Sequence, residues 1–268
     1  MRSYGKIIVL MATVLLTVWY TAAAVAADPA EFKGDSATTF LAHFNEGIDA
    51  DFAKGTAEHK AGNAGITSDG SGKFGEALIC RQGMAVTSAG ISAPFYQINF
   101  PVANNINLKQ GTLEFWVNMN FTRKPTVDKP YGLYYMFDIP SNVLDENKNI
   151  VRLCLVVTES LVRKDSTETA QRFNLFFGEK DKYISVPVSW KQGEWHHVAV
   201  TWDGNTGALF LDGEARGTKP LSGGLFGGDA ASLKGDFYIG GLFNAGNDRG
   251  PEGLVDELRI SDTVRYGK

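Results

Sequence analysis

The sequence has 268 residues, of which 26 are basic and 30 acidic, and its formal net charge at neutral pH is −4. This mildly acidic balance argues against nucleic acid and anionic membrane surfaces as partners. Aromatic residues make up 12% of the chain and glycines number 30. Because no long stretch has a helical period, the composition favours an all-β protein.

The first 27 residues have the three parts of a secretory signal peptide. Arg2 and Lys6 form a positive start, Ile7–Trp19 is an uncharged apolar run, and small residues continue to Ala27. An uncleaved anchor is the alternative, but the run is shorter than the roughly 20 residues that span a bilayer. We therefore predict cleavage, export to an extracellular or periplasmic space, and no membrane insertion afterwards. Cleavage removes two basic residues and no acidic one, which gives a mature net charge of −6.

The mature chain is predicted to begin with a flexible lead, residues 28–37, and to continue as one domain, residues 38–268. Short alternating runs separated by Gly, Asn, Asp and Pro indicate about twelve strands, which two sheets packed face to face would accommodate. Asp212-Gly213 predicts a two-residue hairpin turn, because both positions need positive φ. The predicted strands are 39–44, 76–80, 84–88, 96–100, 111–121, 131–139, 150–157, 172–178, 182–188, 195–202, 208–211, 236–241 and 253–266, with a long loop over 53–75.

Several of these segments resemble laminin-G-like domains of the concanavalin A-like lectin/glucanase superfamily. GEWHHVAVTWDGNTGALFLDG (193–213) is similar to the W-x-H-V-A…D-G hairpin of the family. FYIGG and GLVDELRIS are similar to its closing strands, FGEALICRQG to an early strand, and GTLEFWV to its T-x-E-x-W-V strand. The resemblance covers residues 38–266 and implies an all-β jelly-roll sandwich of two curved antiparallel sheets. It implies no single function, since the superfamily holds lectins, adhesion modules and glycosidases.

Asp256 is the strongest candidate for a metal ligand. Strict alternation would place it on one face with three apolar neighbours, and a carboxylate on an apolar face needs a partner. Relatives with this fold often hold a structural calcium ion through the matching Asp and backbone carbonyls. The resemblance therefore implies calcium at Asp256, with Asn45 and Gly75 as carbonyl donors, and stabilisation of the domain by calcium. The alternative is an Asp that caps a turn or pairs with an arginine.

The two cysteines and the adjacent histidines suggest fewer roles. Cys80 and Cys154 lie in apolar runs. An oxidising compartment permits a disulfide between them, and the alternative is that each is a small buried hydrophobe. His196 and His197 are predicted to point to opposite faces of one strand, which excludes a zinc ion that both would bind.

The sequence lacks the signals of familiar catalytic sites. A glycosidase needs two carboxylates that flank its substrate. Laminarinase-type relatives carry theirs on alternate positions of one strand, and the corresponding strand here has Glu114 alone. There is no G-x-S-x-G nucleophile motif and no Gly-rich loop leading from a strand into a helix. We therefore expect that the chain is not an enzyme.

Aromatic residues indicate where a ligand could bind. In the strand 131–139, alternation places Tyr134 and Asp138 on the less apolar face, and Arg152 has the polar parity on the next strand. Such a surface could stack on a sugar ring and form hydrogen bonds to its hydroxyl groups. The alternative is that these are ordinary surface side chains that bind no ligand. We predict a secreted, non-catalytic recognition module for glycan or an extracellular protein. The alternatives are a glycoside hydrolase or lyase on the same scaffold, and a structural or adhesive component.

Overall fold

The structure is a computed structural model. It describes residues 30–62, 64–80, 98–121, 125–128, 131–140, 143, 151–163, 168–178, 183–221, 232–241 and 252–267. The predicted signal peptide (1–27) and the predicted strand 84–88 lie outside these residues, so both stay predictions. Within the described ranges, no helix is long and apolar enough to cross a membrane.

Sixteen strands form in the described parts of the chain. They are β1 (Thr38–Ala42), β2 (Phe52–Ala53), β3 (Ala61–Gly62), β4 (Gly65–Ile66), β5 (Leu78–Cys80), β6 (Ile98–Pro101), β7 (Gly111–Asn120), β8 (Tyr131–Ile139), β9 (Leu153–Leu161), β10 (Thr169–Phe177), β11 (Tyr183–Val188), β12 (Trp195–Trp202), β13 (Thr206–Leu211), β14 (Glu214–Pro220), β15 (Asp236–Ile239) and β16 (Glu252–Ser261). Two short strands, β3 and β4, lie within the predicted loop 53–75. The predicted hairpin turn is confirmed, because Asp212 and Gly213 have φ of 52° and 79°.

The strands form two antiparallel sheets, which confirms the predicted jelly-roll sandwich. One sheet has nine strands in the order β14-β13-β12-β7-β16-β1-β2, with β5 paired to β16 and β4 paired to β5. The other has seven strands in the order β11-β10-β9-β8-β15-β6-β3. The pairings between β16 and both β1 and β7 place the last strand at the centre of the nine-stranded sheet.

Large aromatic side chains from both sheets fill the core. Phe40 of the nine-stranded sheet makes edge contacts with Phe100 and Phe237 of the other sheet, at ring-centre distances of 4.9 and 5.3 Å. Phe237 also stacks on Phe137 at 5.3 Å. All four rings are fully buried. Full burial of such a side chain stabilises the fold by about 1.5–3 kcal/mol, so this aromatic cluster joins the two layers.

A β-bulge in β8 changes which of its side chains face the core. The pairing of β8 with β9 shifts register between Tyr135 and Phe137. A bulge adds one unpaired residue, so strict alternation does not continue across it. Tyr134 and Phe137, which alternation would place on opposite faces, therefore both belong to the core.

A second bulge lies in β16, where the pairing with β7 shifts between Asp256 and Arg259. Glu257 has φ of 53° there. Val255 and Leu258 reach the core. The predicted face is therefore wrong: Asp256 lies on the outer face of the nine-stranded sheet, opposite Trp116 in the register, and does not share the core face with Leu258.

Residues 30–37, here called the N-terminal strap, pack across the outer face of the nine-stranded sheet. Phe32 is buried, and its backbone N–H donates to a carboxylate oxygen of Glu257 at 2.6 Å. Asp35 pairs with Arg265 at 2.7 Å. The expected flexible lead is therefore wrong for these eight residues, because a buried phenyl ring and a charge-assisted hydrogen bond hold them on the sheet.

Candidate functional site

The outer face of the seven-stranded sheet carries a row of aromatic side chains. Residues paired across neighbouring strands share a face, so the outer side chains follow from the core assignments. We call this surface the aromatic face. Its main residues are Tyr131, Tyr135, Asp138, Arg152, Cys154, Asn174, Phe176, Tyr183 and Tyr238. Tyr131 and Tyr183 are 64% and 47% exposed, which leaves rings available at two places on the surface.

The structure separates the three predicted ligand-binding residues. Asp138 and Arg152 lie on the aromatic face as expected, but Tyr134 lies in the core, where its ring contacts Phe121 edge-on at 5.4 Å. The prediction for Tyr134 is wrong because the bulge in β8 reverses the alternation. Tyr135, which alternation placed in the core, lies on the aromatic face instead of Tyr134. The sequence carries no clear signal of the bulge in β8.

Asp138 and Cys154 are direct neighbours in the middle of the aromatic face. They pair across β8 and β9, and both are fully buried. Burial, together with the nearby Asp138 carboxylate, raises the pKa of the Cys154 thiol well above its usual value. The thiol is therefore protonated at neutral pH. Arg152 lies on the same surface, with its guanidinium 5.5 Å from the centre of the Phe176 ring.

A hydrogen-bond network fixes the polar side chains beside these rings. Arg172 donates to the hydroxyl of Ser185 at 2.8 Å, and this hydroxyl donates to the side-chain oxygen of Asn174 at 2.7 Å. The Asn174 amide donates to the hydroxyl of Thr158 at 3.2 Å. Next to the network, Phe176 and Tyr183 pack with ring centres 5.8 Å apart. The network therefore holds polar groups in place next to an accessible ring.

Tyr238 extends the aromatic face across β15. It pairs with Asp138 on one side and Asn99 on the other. Burial and the carboxylates of Asp236 and Asp138 raise the pKa of Tyr238. Asp236 is held by Lys60 at 2.6 Å and by the Asn99 amide at 2.9 Å. The phenol therefore stays protonated and can donate a hydrogen bond.

The three residues predicted to bind calcium do lie together, around the turn at residues 72–76. The Asp256 carboxylate accepts the backbone N–H groups of Lys73 and Phe74 at 2.7 and 2.9 Å. The side-chain oxygen of Asn45 accepts the N–H of Glu76 at 2.8 Å, and the Gly75 carbonyl accepts the N–H of Gly72.

This arrangement does not fit a calcium ion. Calcium takes six to eight oxygen ligands, whereas the Asp256 carboxylate, the Asn45 side-chain oxygen and the Gly75 carbonyl already accept N–H groups. The described residues also contain no group of three or more His, Cys, Asp or Glu side chains that could hold a metal. Asp256 thus acts as the cap of a turn. Burial raises its pKa to about 7. From this geometry we expect no calcium ion at Asp256, contrary to the expectation from the family resemblance.

The predicted disulfide is wrong. Cys80 and Cys154 are both free and buried. Cys80 belongs to the core side of the nine-stranded sheet, and Cys154 lies on the aromatic face of the other sheet. A disulfide needs Cα atoms within about 7 Å and facing Cβ atoms, which two side chains separated by the seven-stranded sheet cannot provide.

Glu114, the carboxylate in the strand compared with glycosidases, lies in a closed network on the outer face of the nine-stranded sheet. It is fully buried and pairs with Arg259 at 2.8 Å. Tyr266 donates its hydroxyl to Glu114, and His197 lies 3.6 Å away. Burial alone would raise the pKa of Glu114, but His197, Arg259 and Tyr266 outweigh it and lower the pKa. Glu114 is therefore a structural anion that a substrate cannot reach.

The adjacent histidines point to opposite faces, as predicted. His196 stacks on Trp190 at 4.3 Å with nearly parallel planes. His197 lies on the outer side against Trp116, at a ring-centre distance of 5.2 Å. The two imidazoles therefore cannot bind one ion together.

Comparison with solved structures finds several chains of similar fold. One is a heptameric SAP-like pentraxin from Limulus polyphemus, with 18% identity, a TM-score of 0.41, and coverage of 63% of this chain and 70% of that chain. Another is domain 4 of AbnA, a GH43 extracellular arabinanase from Geobacillus stearothermophilus, in complex with arabinotriose, with 16% identity, a TM-score of 0.49, and coverage of 85% and 94%. A third is a sialidase from Trypanosoma rangeli, with 14% identity, a TM-score of 0.46, and coverage of 86% and 31%.

The prediction that the chain is not an enzyme is withdrawn, because a family model that matches residues 96–267 describes both lectins and glucanases. Chains from an arabinanase and a sialidase are also among the similar structures. At these low identities the likeness concerns the fold alone.

A comparison with curated proteins finds no match. The family model Laminin_G_3, described as the concanavalin A-like lectin/glucanases superfamily, matches residues 96–267, which is more than half of the sequence. The chain therefore belongs to the concanavalin A-like lectin/glucanase superfamily.

Proposed function

We propose that this is an exported carbohydrate-recognition domain and that the aromatic face binds the saccharide. The observation that carries the proposal is the combination of accessible rings, Tyr131 and Tyr183, with polar groups held in fixed positions between them. Sugar rings have apolar C–H faces and hydroxyl rims. A surface that offers both ring faces and fixed hydrogen-bonding groups matches that chemistry.

The polar groups support the proposal because they are fixed before a ligand arrives. Asn174 and Ser185 are already joined by a hydrogen bond, and the Arg172 guanidinium is held by the side chain and the backbone of Ser185. Groups that are immobile in the free protein lose little conformational entropy on binding. The same groups on freely moving side chains would favour binding less.

The test is binding of the mature chain, residues 28–268, to soluble polysaccharides by affinity electrophoresis. Tyr183→Ala should weaken retardation by about ten-fold, because an aromatic contact of this kind is worth on the order of 1 kcal/mol beyond its buried area. Phe52→Ala is the matched control, since Phe52 is 45% exposed on the other sheet. Reducing ends measured in the same incubations distinguish binding from cleavage, because they increase only if the polysaccharide is hydrolysed. Equal retardation of Tyr183→Ala and the unmodified chain would contradict the proposal.

Export is the second part of the proposal. It is supported by the signal-peptide pattern of residues 1–27, with its positive start, apolar run and small residues before Asp28. N-terminal sequencing of the exported protein should begin at Asp28. A protein that keeps residues 1–27 and stays with the membrane fraction would contradict this part.

A further inference from the structure

The outer face of the nine-stranded sheet has a second group of aromatic side chains, distant from the aromatic face. Trp195, Asn118, Leu254 and Ile79 are cross-strand neighbours in one row over β12, β7, β16 and β5. All four are partly exposed. We call this row, together with Trp116, Lys73 and Phe74, the tryptophan shelf.

The N-terminal strap borders the shelf on one side. Phe32 of the strap, Leu41 and Trp116 form one buried apolar cluster, and Phe74 and Trp195 pack against it with part of their surface exposed. Phe32 of the strap thus covers part of the Trp116 ring. Beyond it, Trp195 presents an accessible edge of the same cluster.

Trp116 carries an unused hydrogen-bond donor. Its side chain is only 8% exposed, and its indole N–H has no hydrogen-bond partner among the described residues. A buried donor without an acceptor has lost its hydrogen bond to water and is destabilising. A ligand oxygen that accepts this hydrogen bond would remove that destabilisation, so the shelf favours a ligand with acceptor oxygens.

Lys73 covers the Trp116 ring and supplies a second donor. Its ammonium lies 4.3 Å from the Trp116 ring centre and 5.8 Å from that of Phe74. The described structure gives Lys73 no ion pair. A cation–π contact at an accessible site is weak, and a lysine side chain has many rotamers. A ligand can therefore displace the ammonium from the ring and receive a hydrogen bond from it.

We propose that the tryptophan shelf is a second saccharide-binding surface, with Trp195 stacking on a sugar ring and Trp116 and Lys73 donating to its oxygens. It binds the class of ligand proposed for the aromatic face, but it rests on different residues. Because the two surfaces lie on opposite outer faces of the sandwich, one domain would bridge two polysaccharide chains. Bridging raises the apparent affinity for long chains over that for short oligosaccharides.

The experiment uses the mature chain with soluble arabinan, xylan, laminarin and galactan as probes in affinity electrophoresis. Trp195→Ala and Lys73→Ala should each lower the affinity for at least one probe, by about ten-fold for the tryptophan. Lys109→Ala is the control, because Lys109 is exposed in the loop before β7. Lys73→Ala removes only a partly exposed side chain, so it remains informative if Trp195→Ala fails to fold.

The outcomes separate the two surfaces. Loss of affinity in Tyr183→Ala but not in Trp195→Ala or Lys73→Ala would overturn the shelf and leave the aromatic face. The reverse pattern would support the shelf and overturn the aromatic face. We expect each variant to lose part of its affinity for the polysaccharide. We also expect mixtures of polysaccharide and the unmodified chain to scatter light because the chain cross-links the polysaccharide, and a substitution on either surface should abolish this scattering. No retardation of the unmodified chain by any of the four probes would count against both.

Discussion

Replacement of Phe32 by alanine tests whether the N-terminal strap is part of the folded domain. The Phe32 ring is only 3% exposed, and the guanidinium of Arg259 lies 4.5 Å from its centre. It also makes an edge contact with His197 at 5.9 Å. The substitution removes these contacts but keeps the backbone N–H that donates to Glu257.

The magnitude follows from the contacts that are lost. Burial of a phenyl ring contributes about 1.5–3 kcal/mol, and the contact with Arg259 adds about 0.5–1 kcal/mol. We expect Phe32→Ala to lower the free energy of unfolding by about 2–4 kcal/mol. The cost should stay below that of a residue in the aromatic core, because the strap can shift to fill part of the space.

Urea unfolding of the mature chain, followed by tryptophan fluorescence, measures this difference. Phe52→Ala is the control, and as a substitution of a half-exposed side chain it should change stability by no more than about 0.5 kcal/mol. A Phe32→Ala variant as stable as the control would show that the buried Phe32 ring does not hold residues 30–37 on the sheet.

Four further outcomes are expected. Gly207→Ala should destabilise the domain by about 1–3 kcal/mol in urea unfolding, because its Cβ would lie 2.4 Å from the Phe177 ring and overpacking has that cost. Burial raises the pKa of Asp256 to about 7, above that of an unfolded aspartate. Its contribution to the free energy of unfolding is therefore present at low pH and is lost as pH rises from about 4 to about 7. Asp256→Asn should reduce the fall of the unfolding free energy with pH in this range by up to about 1.4 kcal/mol per pH unit. The melting temperature should be equal in calcium and in chelator, and a rise with calcium would refute the turn-capping account. Cys80 and Cys154 should react with a thiol reagent only on unfolding, because burial raises both pKa values.

The architecture could be predicted well from the sequence because strand alternation and turn residues are both local signals. Alternation over β7 and β12 and the turn at Asp212-Gly213 each specify a strand or a hairpin without reference to the rest of the chain. Hydrophobic alternation therefore sufficed for the strands that carry most of the core. The very short strands β3 and β4 have no such pattern, since two residues cannot show a period.

The predicted sites failed where the local pattern was interrupted. A single extra residue in β8 exchanged the faces of Tyr134 and Tyr135, and another in β16 moved Asp256 to the outer face. Bulges are stabilised by tertiary pairing, which alternation in one strand does not contain. The docking of Phe32 depends on Glu257, 225 residues away in the sequence, so it could not be read from the lead itself.

The motifs that carried the family resemblance meet in one buried network. Glu114 comes from GTLEFWV, His197 from WHHVAV and Arg259 from VDELRI, and the structure brings all three around the Glu114 carboxylate. A buried charge must be paired where it lies, so these residues specify how β7, β12 and β16 come together. The motifs therefore describe packing. The residues that we propose to bind sugar, such as Tyr183 on the opposite sheet, lie outside them, which is why membership of the superfamily does not by itself identify the ligand.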